Sequence, residues 1–177
     1  ERTEDMDESY KNPDNDFAPW TSSDAFAPNA ATHQGMVYAI QHPITGQMIY
    51  PTIGRCWTYG QDDIFSIMNG WCEYEYKDLD DAEQRAQVCG VKVEDVRPGV
   101  KAIVLKNTLE ESRNAAQKIY DRGQWPKFYF TSKGRGGIRK KTYITNVEGK
   151  LITNFWSYDE VGHTDGAKKE LKRIFEG

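Results

Sequence analysis

The run Lys11-Asn12-Pro13-Asp14-Asn15-Asp16-Phe17-Ala18-Pro19-Trp20-Thr21-Ser22-Ser23-Asp24 constrains this chain more than any other stretch. Its Asn, Asp, Ser and Thr side chains compete with regular backbone pairing. Pro13 and Pro19 remove amide donors and restrict the residues before them. An ordered irregular loop is expected, reaching to about Ala31. Its polar groups are expected to bond the loop's own backbone, and Trp20 to anchor it in a core.

The rest of the chain alternates short strand and helix patterns. Met36 to His42 and Gln47 to Pro51 read as a hairpin turned by Pro43-Ile44-Thr45-Gly46. Arg55 to Tyr59 is a further short strand. Asp62 to Met68 reads as a helix closed by Asn69-Gly70, and Trp71 to Tyr76 alternates like a strand. Asp78 to Cys89 reads as a helix stopped by Gly90, and Val100 to Leu105 as an apolar strand. Thr108 and Glu111 have capping-box spacing, opening a helix to about Arg122 with Gly123 as its stop. Phe128 to Thr131 and Ile138 to Thr145 read as a second hairpin, and Thr164 opens a last helix through Phe175. The expected class is α+β, with short β-hairpins packed against three or four helices in a single domain of 177 residues.

Composition excludes several functions. Mean hydropathy is −0.77, and no apolar run approaches a membrane span. Aromatic residues make up 12% of the chain, which argues against disorder. Cys56, Cys72 and Cys89 lack a C-x-x-C pair, and His33, His42 and His163 are scattered, so neither a zinc site nor a disulfide framework is expected. Reduced thiols in a cytoplasmic protein fit that pattern. No catalytic residue stands out, because no nucleophile elbow accompanies the histidines. Pro13-Asp14 with Glu75-Tyr76-Lys77 matches a loose nuclease pattern, but such a match arises readily by chance.

Charge is distributed unevenly around a net of −4. Residues 125–146 hold Lys127, Lys133, Arg135, Arg139, Lys140 and Lys141 and no acid. Cations of this kind neutralise phosphates, arginine can read guanine with two hydrogen bonds, and a two-stranded ribbon fits the major groove. A solvated hairpin tip is the bland alternative. Arg55, in Gly54-Arg55-Cys56-Trp57, reads either as a DNA contact or as an arginine packed on an aromatic ring.

Several of these segments together resemble a known family. Asn12 to Asp24, Tyr50-Pro51 with Gly54-Arg55-Cys56-Trp57, Val147 to Trp156 and Tyr158 to Phe175 are similar, in the same order, to conserved segments of the adenine-specific DNA methyltransferases that form the modification subunits of type III restriction systems. Residues 77–124 have no counterpart and read as an insertion. The catalytic Asp-Pro-Pro-Tyr and the cofactor-binding F-x-G-x-G strings are absent from the chain.

The resemblance therefore implies a target-recognition domain that binds duplex DNA and lacks catalytic and cofactor motifs. Its parent enzyme would use S-adenosylmethionine, and its partners would be the rest of the methyltransferase, a second modification subunit or a restriction subunit. It implies DNA-facing roles for Lys133, Arg135, Arg139, Lys140, Lys141, Tyr143 and Arg55. Asn12, Pro13, Asp14, Asn15, Asp16 and Trp20 form the family loop, which could border the pocket for a flipped base. The alternative is a stand-alone DNA-binding or protein-interaction module, with residues 77–124 as a docking surface.

Overall fold

A computed structural model describes residues 9–144. The expected last helix, the segments 147–156 and 158–175 and the charged start of the chain lie outside the described residues. Within them the elements are β1 (Trp20–Asp24), β2 (Phe26–Pro28), β3 (Ile40–Gln41), β4 (Met48–Ile49), β5 (Arg55–Trp57), α1 (Gln61–Met68), β6 (Tyr74–Lys77), α2 (Ala82–Cys89), β7 (Ala102–Leu105), α3 (Leu109–Arg122), β8 (Phe128–Phe130), the short turn α4 (Thr131–Gly134) and β9 (Ile138–Tyr143). The class is mixed α+β, with four helices and three small sheets among the described residues.

The sheets have strand orders β1-β9-β8, β2-β5 and β4-β3-β7-β6. Both expected hairpins are present and antiparallel, β8 with β9 and β3 with β4. The strands of the β3–β4 hairpin are only two residues each, since Gln34–Met36 forms a 3-10 turn at the expected start of the first. The region expected to be irregular up to Ala31 is shorter than that, because β1 and β2 occupy its second half. Thr21-Ser22-Ser23 pairs with Thr142, Lys141 and Lys140 of β9, a partner more than a hundred residues away that local composition does not reveal.

Residues 77–124 are built into the core. β7 is buried along its whole length and lies between β3, to which it is parallel, and β6, to which it is antiparallel. Next in the chain, the Thr108 hydroxyl accepts from the Glu111 amide while the Glu111 side chain accepts from the Thr108 amide, so the capping box starts α3 as its spacing requires. Ala116 is fully buried, and Leu109, Ile119 and Tyr120 pack on the main core from the same helix. Arg85 of α2 is buried as well. Its guanidinium donates to the carbonyls of Val37 (2.8 Å) and Gln34 (3.2 Å), before β3, and of Arg97 (2.8 Å), before β7.

The main core joins all three sheets. Trp57 and Trp71 are almost fully buried, and each satisfies its indole N–H on a backbone carbonyl, Tyr38 (2.9 Å) and Phe128 (2.8 Å). Ile40, Ile64, Met68, Ile103 and Phe128 close the space between them. Cys56, Cys72 and Cys89 are free and buried, and burial pushes the Cys72 thiol up to about 11. Among the described residues, no helix is long and apolar enough to cross a membrane.

Candidate nucleic-acid interface

β9 carries the basic run, and strand alternation divides its side chains between two faces. Arg139, Lys141 and Tyr143 share one face with Trp20, Ser22 and Asp24 of β1. Ile138, Lys140 and Thr142 share the other with Phe128 and Phe130 of β8. The second face meets the main core through Ile138, Phe128 and Phe130, while Lys140 stays partly exposed. The first is covered by the loop from Asn12 to Pro19.

That loop has the turn chemistry its sequence suggests. The Asn12 side chain accepts from the Asp16 amide (2.7 Å) and donates to the Asp16 carbonyl (2.8 Å). Pro13 lies between the two ends of that ring of contacts, and Asn15 takes a positive φ of 58°. The fold delivers Asp14 and Asp16 onto β9. Lys141 is fully buried, and its ammonium donates to Asp14, to Asp16 (2.6 Å) and to the Trp125 carbonyl (2.7 Å). Asp14 also accepts from the Trp20 indole (2.8 Å) and the Trp125 amide (2.8 Å). Tyr143 donates its hydroxyl to Asp16 (2.7 Å). Burial alone raises the Asp16 carboxyl, but hydrogen bonds from Lys141, Tyr143 and the Phe17 amide outweigh it and hold the group below its ordinary value.

Lys141 and Tyr143, expected to face DNA, both bond the loop carboxylates, Lys141 from full burial and Tyr143 from a half-buried position. A fully buried ammonium with three acceptors has no donor left for a phosphate. Asp14 is committed to the same network, while Glu75 of β6 is exposed, so the structure does not build the nuclease-like pattern into a site. Among the described residues, no cluster of His, Cys, Asp and Glu could hold a metal ion.

The turn between β8 and β9 is held differently. Ser132 and Lys133 both have positive φ, 52° and 57°, and Gly134 follows at 84° against the Tyr120 ring. Buried His42 fixes this turn from the β3–β4 hairpin. Its Nδ1 lies within reach of the amides of Ile44 (3.0 Å) and Thr45 (3.2 Å), and its Nε2 lies 3.2 Å from the Gly136 carbonyl. Only the neutral ring protonated at Nε2 satisfies all three. Burial accordingly lowers the His42 pKa to about 4.

The folded pKa lies below the ordinary value, so the unfolded chain binds more protons between the two. The contribution of His42 is complete above about pH 6.5 and fades as pH falls toward 4, a loss of at most about 3 kcal/mol. Asp16, also depressed, adds its own loss at still lower pH. Urea midpoints measured from pH 7 to 4 are expected to fall in that window, and the His42→Asn variant is expected to flatten the decline. An equal decline in that variant would place the titrating group elsewhere.

The remaining cations point outward. Lys133 and Arg135 are exposed, and Lys127, Arg139 and Lys140 are partly exposed. Among the described residues none of these five makes an ion pair. Arg139 donates to the Ser22 hydroxyl (3.1 Å), which also accepts from Tyr129 (2.6 Å). Arg55 is more constrained, bound to Asp24 (2.5 Å) and to the Phe26 carbonyl (2.8 Å), which ties β5 to β1 and β2. Its local role is structural, although a third of its side chain stays exposed. Sequence reasoning passed over Tyr59, just past β5, whose ring lies 4.7 Å from Lys127 Nζ and 5.3 Å from Lys140 Nζ.

No protein-family model, curated protein or solved structure matches the chain.

Proposed function

We propose that this chain supplies DNA target recognition to an adenine-specific methyltransferase that draws its methyl group from S-adenosylmethionine. The parent enzyme would be cytoplasmic, and the chemistry would belong to other parts of it. The resemblance of Asn12–Asp24 and Gly54–Trp57 to the type III modification subunits supports the reading. One structural observation carries it furthest: Lys127, Lys133, Arg135, Arg139 and Lys140 sit on one hairpin, in a chain of net charge −4, and among the described residues none of them makes an ion pair, with Arg139 lying opposite Asp24 in the β1–β9 register. Cations grouped on a two-stranded ribbon suit a phosphate backbone, and Arg135 on the exposed tip suits a guanine edge.

The test is selection of duplexes from a random-sequence pool by the 177-residue chain. The expected result is enrichment of a shared sequence. The double variant Arg135→Ala, Arg139→Ala is expected to lose that enrichment while its thermal unfolding stays close to that of the parent chain. Lys141 is left intact, since its replacement would unfold rather than silence the site. A pool that emerges without a common sequence overturns the reading.

A further inference from the structure

We infer that Lys127 and Lys140, gathered by the ring of Tyr59, form a clamp for one phosphodiester of a DNA backbone. The inference rests on the recognition reading above and specifies how part of that surface works.

The two ammonium groups come from opposite strands of the basic hairpin. Lys140 pairs directly with Phe128, the residue after Lys127, so the register brings both lysines to the same end of the ribbon. Tyr59 meets them from the other side, held in position by its packing on Phe128 at 5.8 Å between ring centroids. With 4.7 and 5.3 Å to the same centroid, the two like charges lie within about 10 Å of each other. Neither makes an ion pair among the described residues. Two adjacent cations repel, and long lysine side chains lose rotamer freedom when fixed. The negative face of the ring offsets part of both costs, so the pair is arranged before an anion arrives.

A groove of about 370 Å³ beside the ring is lined by Tyr59, Asp63, Ser66, Ile67 and Lys127. Asp63 disfavours an anion within that groove, so the phosphate belongs at the Tyr59 ring, where both ammonium groups lie. Such a contact carries no base information. It would set the register of the ribbon on the duplex and leave reading to the hairpin tip.

The experiment follows binding of a fluorescein-labelled, mixed-sequence duplex as salt is raised. The double variant Lys127→Gln, Lys140→Gln is expected to bind roughly ten-fold more weakly at 50 mM salt, with a log–log salt slope lower by about 0.9, the share of a single phosphate. Tyr59→Phe is expected to keep the parent slope, and Tyr59→Leu to lose affinity with both lysines still present, which a merely electrostatic patch would not show. A slope lower by about 1.8 gives each lysine its own phosphate and overturns the shared clamp. Unchanged affinity in the double variant overturns the clamp while leaving the recognition reading intact. Failure of the parent chain to bind any duplex overturns both. Inorganic phosphate is titrated in parallel against intrinsic fluorescence. Saturable binding there, lost in the double variant whose duplex binding is unaffected, would make this a small-anion site and overturn the backbone assignment.

Discussion

Replacing Lys141 with alanine is expected to lower the stability of the chain by about 3–5 kcal/mol, because two carboxylates are left buried without their cation. Asp14 has no exposed side-chain surface and Asp16 has little, so water cannot take the place of the ammonium. The pair itself need not be strongly stabilising, since burying three charges costs about as much as their attraction returns. It is the broken pair that is expensive. The triple variant Lys141→Met, Asp14→Asn, Asp16→Asn is therefore expected to recover much of the loss, and urea titration of the two variants measures the difference. If Lys141→Ala unfolds at the parent midpoint yet fails to bind DNA, Lys141 is a contact residue and the internal role assigned to it is wrong.

Gly123→Ala carries the second large effect. Gly123 ends α3 at φ 82° and ψ −166°, a region open essentially to glycine alone. A Cβ there would lie 2.3 Å from the Asp14 carbonyl oxygen, the atom that accepts from the Gln124 amide at 2.6 Å. The backbone conformation alone costs about 1–3 kcal/mol, and displacing Asp14 from Lys141 adds to it. Gly90 provides the comparison. It also has a positive φ, 69°, but nothing lies within 4 Å of the position of its Cβ. Gly90→Ala is expected to cost about 1 kcal/mol, the price of the left-handed conformation alone. Equal melting temperatures for the two variants would show that the contact with Asp14 does not matter.

The parts of this fold legible in the sequence are those with local causes. The capping box at Thr108, the glycine stops after α2 and α3 and the turns of both hairpins depend on neighbours a few residues apart. The missed parts depend on distant partners. β1 looks like turn chemistry, and becomes a strand because β9 offers it a ladder. α2 starts at Ala82 instead of Asp78, since Asp80 adopts a positive φ of 52° that interrupts the helix. In the candidate interface, composition identified the basic hairpin, but not which lysine turns inward. Alternation along β9 places Lys141 and Arg139 on one face. Only the arrival of Asp14 and Asp16 distinguishes the buried one. Tyr59 carried no signal, because its importance lies in two cations supplied by strands far along the chain.

The link between Asp14 and Lys141 has a consequence during synthesis. The two residues are 127 positions apart. At about 5–20 residues per second, a ribosome takes roughly 6–25 s to make the second after the first. Throughout that interval the N-terminal acids are without their cation and β1 is without β9. The Asn12–Pro19 loop and β1 thus stay open until β9 has been made, and their closure awaits the basic hairpin.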